Sequence, residues 1–309
     1  MTTLVERPMG RQQDPDGGEA HVTVTREPVA GRRKSGRSLA ESLGRHTVLT
    51  VLALFTAFPV LLIVSTALKT PADVRVNPFG LFSSFSFENL ATAWTVGRFG
   101  EYAWNSVLLS VPTTILVVLL STAAGYAFAR LQFWGRGVLF SLIMLGLLVP
   151  FFTYMIPLYF ELKTIGLLDT LLGVILVMTT GGLAFGTFFM RSFFLNLPSE
   201  LEQAARVDGC SEFGIFWRVM LPLVRPGMLA LAVFMFLYTW NEFLIPLLYL
   251  PGGELRPLTT GLYMFTAGRA IDIGPMAAGT LITILPVLLV FLVLQRQVTQ
   301  GFLAGAVKG

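Results

Sequence analysis

The stretch QAARVDGCSEFGIFWRVMLP, residues Gln203 to Pro222, is a polar segment between two long apolar runs. It contains charged side chains, an Asp-Gly pair typical of a turn, and the only cysteine of the chain. Of the 309 residues, 54% are hydrophobic and 13% are charged. That charged share is about half of what a soluble domain carries. The composition therefore predicts a membrane protein, with this stretch lying outside the membrane.

Six apolar runs are long enough to cross a hydrocarbon core, for which a helix needs roughly 20 residues. They are Thr47–Leu68, Asn105–Ala129, Gly137–Phe160, Thr170–Met190, Gly227–Leu250 and Ile273–Leu294. Strands of a membrane barrel would alternate apolar and polar residues, and these runs do not. The sequence predicts an all-α membrane protein with six transmembrane helices.

The distribution of Lys and Arg predicts the orientation of these helices. Residues 1–46 contain eight of them among scattered Gly, Pro and acidic residues, a composition typical of a disordered tail. One side of the six spans carries 16 Lys and Arg and the other carries six. Positively charged loops stay in the cytoplasm, so both termini and the stretch 203–222 are predicted to be cytoplasmic. The net charge of +4 follows from this bias and gives no indication of nucleic-acid binding.

A helix, a turn and a second helix are predicted around the opening stretch. Ser199 and Glu202 have the spacing of a capping box, which places the first helix start at Glu200. Gly209 adopts the left-handed conformation at low cost and ends this helix. Ser211 can then cap the second helix.

The second helix is expected to end before Leu221-Pro222.

Small or weakly apolar side chains are predicted to share one side of the first helix: Leu201, Ala204, Ala205 and Asp208. Such a surface suits either a groove on another protein or the lipid interface. The residues alone leave both readings open.

Only one of the predicted spans contains a formal charge, Glu242, which follows Asn241. Counting from the span start places its carboxylate roughly 22 Å into a core of ~30 Å. A charge there costs about 3 kcal/mol, so we expect Glu242 to face the bundle or a wet cavity. Both a structural hydrogen bond at a helix bend and a place on the substrate path agree with this position.

Small and kinking residues recur inside the spans. Gly182 and Gly186 have the G-x-x-x-G spacing that lets helices approach closely, and residues 123–125 form a second small cluster. Prolines that invite kinks occur at Pro59, Pro112, Pro150, Pro157, Pro246 and Pro286.

Catalytic and cofactor motifs are missing from the sequence. His21 and His46 have no metal-ligand spacing around them, and no lysine follows a glycine as a P-loop requires. We therefore expect no metal, no bound cofactor and no ATP hydrolysis by this chain alone.

The opening stretch resembles the EAA loop of ABC importer permeases. The matching pattern is Gln203-Ala204-Ala205, three residues, Gly209, nine residues, Val219, one residue and Leu221-Pro222. It also precedes the penultimate span, as the family requires. One position departs from the family: a glutamate is usual where this chain has Gln203, and the neighbouring Glu202 points about 100° away around the helix.

Further motifs resemble the maltose-importer-like, carbohydrate branch of these permeases. They are NSVLLS from Asn105, GYAFARLQFWGRG at the end of span two, MIPLYFELKTIGLLDTLLGVIL from Met155, TWNEFLIPL from Thr239 and GFLAGAVKG from Gly301. The similarity covers about residues 47–309. It implies the type I importer architecture: a tail (1–46), a first helix with an extracytoplasmic loop (47–104), and a five-helix core (105–309) with a cytoplasmic coupling loop at 191–226.

The resemblance implies that the chain is a non-catalytic permease subunit of a sugar importer in the cell membrane. Its partners would be a second permease, an ATPase dimer that uses the ATP, an extracytoplasmic solute-binding protein, membrane lipid and a sugar or oligosaccharide. The residues implied in ATPase coupling are Gln203, Ala204, Ala205, Asp208, Gly209, Leu221 and Pro222. Asn241 and Glu242 are candidates for the translocation path, and Gly252, Gly253 and Glu254 for a scoop loop that reaches into the binding protein.

A different class of transporter is the alternative reading. A stand-alone secondary transporter would need ion-coupling groups inside the membrane and often an inverted repeat. The spans offer a single acid, Glu242, and no visible repeat.

Overall fold

The computed structural model describes the fold of residues 39–266 and 272–306, and the side chains of residues 43–263 and 272–295. Within these ranges the regular structure is helical, with no strand. The helices before the predicted cytoplasmic loop are α1 (Leu39–Ala67), α2 (Pro71–Val76), α3 (Glu88–Thr95), α4 (Phe99–Arg130), α5 (Arg136–Leu145), α6 (Phe151–Thr164) and α7 (Leu171–Leu195). Those that follow are α8 (Glu200–Val207), α9 (Glu212–Ile215), a π segment (Phe216–Met220), α10 (Leu221–Leu223), α11 (Arg225–Asn241), α12 (Leu244–Tyr249), α13 (Leu258–Thr266) and α14 (Ile273–Ala306).

Four helices in the described residues are long and apolar enough to cross a membrane. They are α1, α4, α7 and α14, which correspond to the predicted spans one, two, four and six. A fifth span results if the bent pair 212–223 and 225–241 is counted as one. The all-α prediction is confirmed, whereas the count of six continuous helices is not.

The third predicted span, Gly137–Phe160, is divided into α5 and α6, so its prediction as one helix was wrong. The amide of Gly146 donates to Ile143 and Met144, which ends α5, and Pro150 precedes α6 in an extended conformation. A proline has no backbone N–H, and it disfavours helical geometry in the residue before it. At this position the proline breaks the helix instead of bending it.

Two boundaries also differ from the sequence prediction. Residues 39–46, assigned to the disordered tail, belong to α1, while residues 1–38 lie outside the described part of the chain. The last helix runs on to Ala306, beyond the predicted end at Leu294. In both cases a helix continues past the apolar run that defined the predicted span.

Helices α4 and α7 pack against each other along much of their length and form the centre of the helical core. The predicted cytoplasmic loop, residues 191–226, begins at the C-terminal end of α7. A Cβ added at Gly186 would stand 2.2 Å from Ser121 Oγ, and one at Gly182 would stand 3.0 Å from Val117. An added Cβ at Gly125 would meet the backbone N of Arg191 at 2.8 Å. The predicted close approach through small residues is therefore confirmed at these three glycines. It brings the C-terminal ends of α4 and α7 together beside α8.

Candidate functional site

Helix α8 begins at Glu200, as the sequence predicted, but without a capping box. Ser199 has helical backbone angles, and its side chain makes no capping hydrogen bond. Glu202 is buried, with 5% of its surface exposed, and its carboxylate lies 3.5 Å from Arg130. Because Glu202 turns inward to this cation, it does not reach back to the helix start. The predicted capping box is therefore wrong.

The turn after α8 follows the prediction closely. Gly209 has φ +79°, and its amide donates to the Arg206 carbonyl while that of Cys210 donates to the Ala205 carbonyl. This pair of bonds is a Schellman motif, which requires a left-handed residue at Gly209. Ser211 Oγ accepts from the Gly214 amide at 3.2 Å and caps α9. The predicted stop at Gly209 and the cap at Ser211 are both confirmed.

The chain after α9 remains helical for longer than predicted. The amide of Leu221 donates to the Phe216 carbonyl, five residues earlier, and α10 ends at Leu223. The widened π turn leads into Pro222, which has no amide to donate. A bend of 71° then separates residues 212–223 from α11. The predicted end before Leu221 was wrong, because the proline is accommodated within the helical path.

The outward face of α8 differs from the predicted one at Ala205. This residue is 7% exposed and belongs to a core cluster with Met190, Phe194 and Ile215, so it does not share an accessible face with Ala204. The exposed side chains of α8, the turn and α9 include Leu201, Gln203, Ala204, Val207, Asp208 and Phe213, together with Ser211 and the charged Glu200, Arg206 and Glu212. Of these, Val207 is 88% and Phe213 is 72% exposed. Two large apolar side chains thus flank the Gly209 turn and remain mostly exposed within the described part of the chain, with Trp217 contacting one side of the Phe213 ring.

An ion pair joins the two sides of the turn. Arg206 donates to the Glu212 carboxylate at 2.8 and 3.2 Å. These hydrogen bonds from Arg206 lower the pKa of Glu212 below its usual value. The Gln203 side chain is exposed, and the buried Glu202 does not take its place on the surface.

The two polar residues near the end of the fifth span lie at a helix break. Helix α11 ends at Asn241, and Glu242 adopts an extended conformation. Glu242 Oε1 accepts from the amides of Leu244 at 2.9 Å and Ile245 at 3.2 Å. The carboxylate therefore caps α12, which agrees with the structural hydrogen bond at a helix bend that the sequence suggested. Asn241 is exposed, and its amide donates to the Leu237 carbonyl of its own helix at 2.7 Å.

The loop after α12 carries the predicted scoop residues. Gly253 has φ +90° and is buried, while Gly252 and Glu254 are exposed. The Gly252 amide donates to Asp169 Oδ1 at 3.1 Å, and a Cβ on Gly252 would overlap that carboxylate at 2.2 Å. Gly252 thus permits a close approach between the loop and Asp169, which precedes α7.

The start of α4 holds the other side of the same loop. Asn105 Nδ2 donates to the carbonyls of Glu254 at 2.9 Å and Arg256 at 3.1 Å. Ser106 Oγ accepts from the Leu258 amide at 2.8 Å. The sequence analysis quoted Asn105 only as part of a motif and missed this anchoring role. An amide side chain that opens an otherwise apolar span was the available signal.

An open cavity of about 580 Å³ lies along the divided third span. Apolar residues of α5, α6 and α7 form most of its lining, with Tyr154, Glu161 and Thr180 among the polar ones. Asn241 and Glu242 are not among the lining residues. The cavity therefore does not join the two translocation candidates to a common path.

The chain is similar to known transport proteins over most of its length. The profile of the family described as "Binding-protein-dependent transport system inner membrane component" matches residues 118–301. The diacetylchitobiose uptake system permease protein NgcG of Streptomyces coelicolor is 36% identical over 265 residues, which cover 85% of this chain and 88% of that protein. The arabinooligosaccharides transport system permease protein AraQ of Bacillus subtilis is 33% identical over 263 residues, covering 84% and 93% of the two chains.

A solved structure has the same fold. It is the crystal structure of a bacterial ABC transporter involved in the import of the acidic polysaccharide alginate, and the matching chain superposes with a TM-score of 0.73. The superposition covers 82% of this chain and 95% of that one at 22% identity. The described helices therefore have the arrangement of an ABC importer permease.

Proposed function

Since the chain belongs to the family of binding-protein-dependent transport system inner membrane components, we propose that it is one of two permeases in an ATP-driven importer of a sugar or oligosaccharide. As a member of that family it is a multi-pass inner-membrane protein that works with a partner permease, an ATPase and a binding protein. The sugar class is proposed because the similar permeases are named for diacetylchitobiose and arabinooligosaccharides.

One observation carries the coupling role of this chain. The α8–α9 turn exposes Val207 and Phe213 beside Gly209, in a segment that follows the membrane-length helix α7 and precedes the apolar helix α11. Apolar side chains presented on a short, capped helix suit insertion into a groove of another protein. In our proposal this surface enters a cleft of the ATPase dimer, with Gln203, Ala204, Asp208 and Gly209 at the contact. The position of α8 is fixed from the side of the core, where we place the roles of Ala205, Leu221 and Pro222.

The opposite end of the molecule is proposed to meet the solute-binding protein. The loop containing Gly252, Gly253 and Glu254 is fixed by Asn105 and Asp169, so its exposed tip is presented in one position. A preorganised loop loses less conformational entropy on binding than a mobile one. This supports a role in releasing the sugar from the binding protein.

Topology and cofactor use form part of the same proposal. Both termini and the α8–α9 turn are placed in the cytoplasm, and the loop at Gly252 outside, as the Lys and Arg distribution favours. ATP is bound by the ATPase subunits and not by this chain. Reporter fusions at the two termini and at residue 253 test the placement, and a cytoplasmic signal at residue 253 contradicts it.

The function is tested by deleting the gene and measuring uptake of labelled mono- and oligosaccharides. We expect the loss of uptake for one sugar class, its return on complementation, and co-purification of an ATPase with the tagged chain. Uptake that survives ATP depletion but stops when the ion gradient is collapsed would indicate a secondary transporter instead. Unchanged uptake of every sugar tested would overturn the substrate class.

A further inference from the structure

We infer that the buried ion pair between Arg130 and Glu202 is the positioning contact that makes α8 move together with the ends of α4 and α7. The inference rests on the proposed function, because it explains how motion of an ATPase at α8 would reach the membrane helices. It concerns two residues outside the exposed docking surface. Neither of them is proposed to touch the partner.

Arg130 is the last residue of α4 and holds the end of α7. Its Nη2 donates to the carbonyl of Phe194 at 2.5 Å and to that of Leu197. The last carbonyls of a helix have no partner within the helix, and a cation there also interacts favourably with the helix dipole. Arg130 therefore ties the C-terminal end of α7 to that of α4.

Glu202 provides the connection from this junction to α8. Its side chain is 7% exposed and that of Arg130 is 11% exposed. The second carboxylate oxygen of Glu202 lies 4.0 Å from Arg206, which in turn pairs with Glu212. Three neighbouring ion pairs thus connect Arg130 at the end of α4, through Glu202 and Arg206 of α8, to Glu212 at the start of α9.

Apart from the chain connections to α7 and α9, α8 reaches the core through two buried side chains. Its buried residues are Glu202 and Ala205, and a methyl group is a small contact. Burying a carboxylate is unfavourable unless a cation compensates it, so Glu202 strongly resists separation from Arg130. A displacement of α8 therefore acts on the end of α4 through this pair, in addition to the chain connections to α7 and α9.

The geometry of the pair suits a joint that moves. Arg130 Nε and Glu202 Oε1 are both buried and make no hydrogen bond, although they are 3.5 Å apart. Coulomb attraction varies slowly with distance and has no angular requirement, unlike a hydrogen bond. The helix can therefore tilt while the two charges remain attached.

The test uses the complete transporter, purified with its partner permease and ATPase subunits and reconstituted with its binding protein. Glu202→Gln keeps the shape of the side chain but removes its charge, whereas Glu202→Asp keeps the charge on a shorter side chain. Glu212→Gln is the matched control, because it removes a charge at the exposed outer end of the same network. Assembled complex, ATPase rate and sugar imported per ATP hydrolysed are measured for each.

We expect Glu202→Gln to lower the sugar imported per ATP at least fivefold in assembled complexes, a ratio that a change in the amount of complex does not alter. Glu202→Asp should lie between Glu202→Gln and wild type, and Glu212→Gln within twofold of wild type. A contact important only for shape predicts the reverse order, with the aspartate variant the more impaired.

Three results would overturn the inference. They are an unchanged ratio in Glu202→Gln, the reversed order of the two variants, and failure of both to assemble while Glu212→Gln does, which would make the pair a folding contact. Failure of the proposed function gives a different result, because the wild-type complex itself would then not couple ATP hydrolysis to uptake.

Discussion

The side-chain amide of Asn105 donates a 2.9 Å hydrogen bond to the backbone carbonyl of Glu254, 149 residues further along the chain. The same nitrogen donates to the carbonyl of Arg256. The first turns of α4 thus hold the backbone of the loop, while the Glu254 side chain stays exposed. A substitution at Asn105 therefore changes how the loop is held, whereas a substitution at Glu254 changes its exposed side chain and leaves the backbone contact in place.

Replacing Asn105 by aspartate is expected to release the loop. The carboxylate is nearly the same shape but turns two donated hydrogen bonds into repulsion between oxygens, at a cost of about 1–3 kcal/mol in a buried site. Uptake should fall while the complex still assembles, and a spin label at residue 254 should become more mobile. The control for mobility is the same labelled protein with Asn105 unchanged, and Glu254→Gln is the control for uptake, because it leaves the Asn105 anchor intact. An immobile label in the Asn105→Asp protein would contradict the anchoring role.

For Glu242 the structure predicts that shape matters more than charge. The amide oxygen of glutamine accepts the same two bonds from Leu244 and Ile245, so Glu242→Gln should assemble normally and keep uptake within about twofold of wild type. Glu242→Leu leaves both amides unsatisfied at about 1–3 kcal/mol each and should reduce the amount of complex. Quantified complex and initial uptake rates distinguish the two variants. Lost uptake in a normally assembled Glu242→Gln protein would instead place the charge on the translocation path.

Local signals predicted the turn at Gly209 and the cap at Ser211 correctly, because both depend on residues a few positions apart. The capping box failed for a non-local reason: Glu202 pairs with Arg130, which lies 72 residues earlier and is brought near by the packing of α4 on α7. The long apolar runs were also identified correctly, because a run of apolar residues is a local property of the sequence.

Whether a proline or a polar residue bends or breaks a span depends on the partners available to the free backbone groups. At Glu242 the side chain satisfies two of these groups itself, and the predicted continuous fifth span is divided there. Asn105 stands out in the sequence at the start of an apolar span, but the loop that it anchors could not be identified, since its acceptors are backbone carbonyls that any residue supplies. These features follow from contacts between distant segments and not from local patterns.

Cross-linking tests which face of α8 meets the ATPase. In a Cys210→Ser background, a cysteine at Val207 should link to single cysteines placed in the ATPase cleft, because this position is 88% exposed. A cysteine at Ala205, 7% exposed on the same helix, is the matched control and should not link. Cys210 itself is half-buried against the core cluster, so it is a weaker probe than its neighbours. Linkage from Ala205 but not Val207, or no linkage in an active complex, would contradict the proposed docking face.

Substitutions at Gly209 separate backbone strain from loss of the docking surface. A Cβ at this position would meet nothing within 4 Å, so a side chain costs only the left-handed conformation, about 1 kcal/mol for alanine and less for asparagine. If the surface must enter a groove, Gly209→Asp and Gly209→Asn should both assemble but lose most of the coupling between ATP hydrolysis and uptake, whereas Gly209→Ala should keep most of it. If strain were decisive, alanine would be the worse substitution and asparagine the better one. The ratio of sugar imported to ATP hydrolysed in the three purified complexes decides between the two causes, and we expect the two larger side chains to be the defective ones.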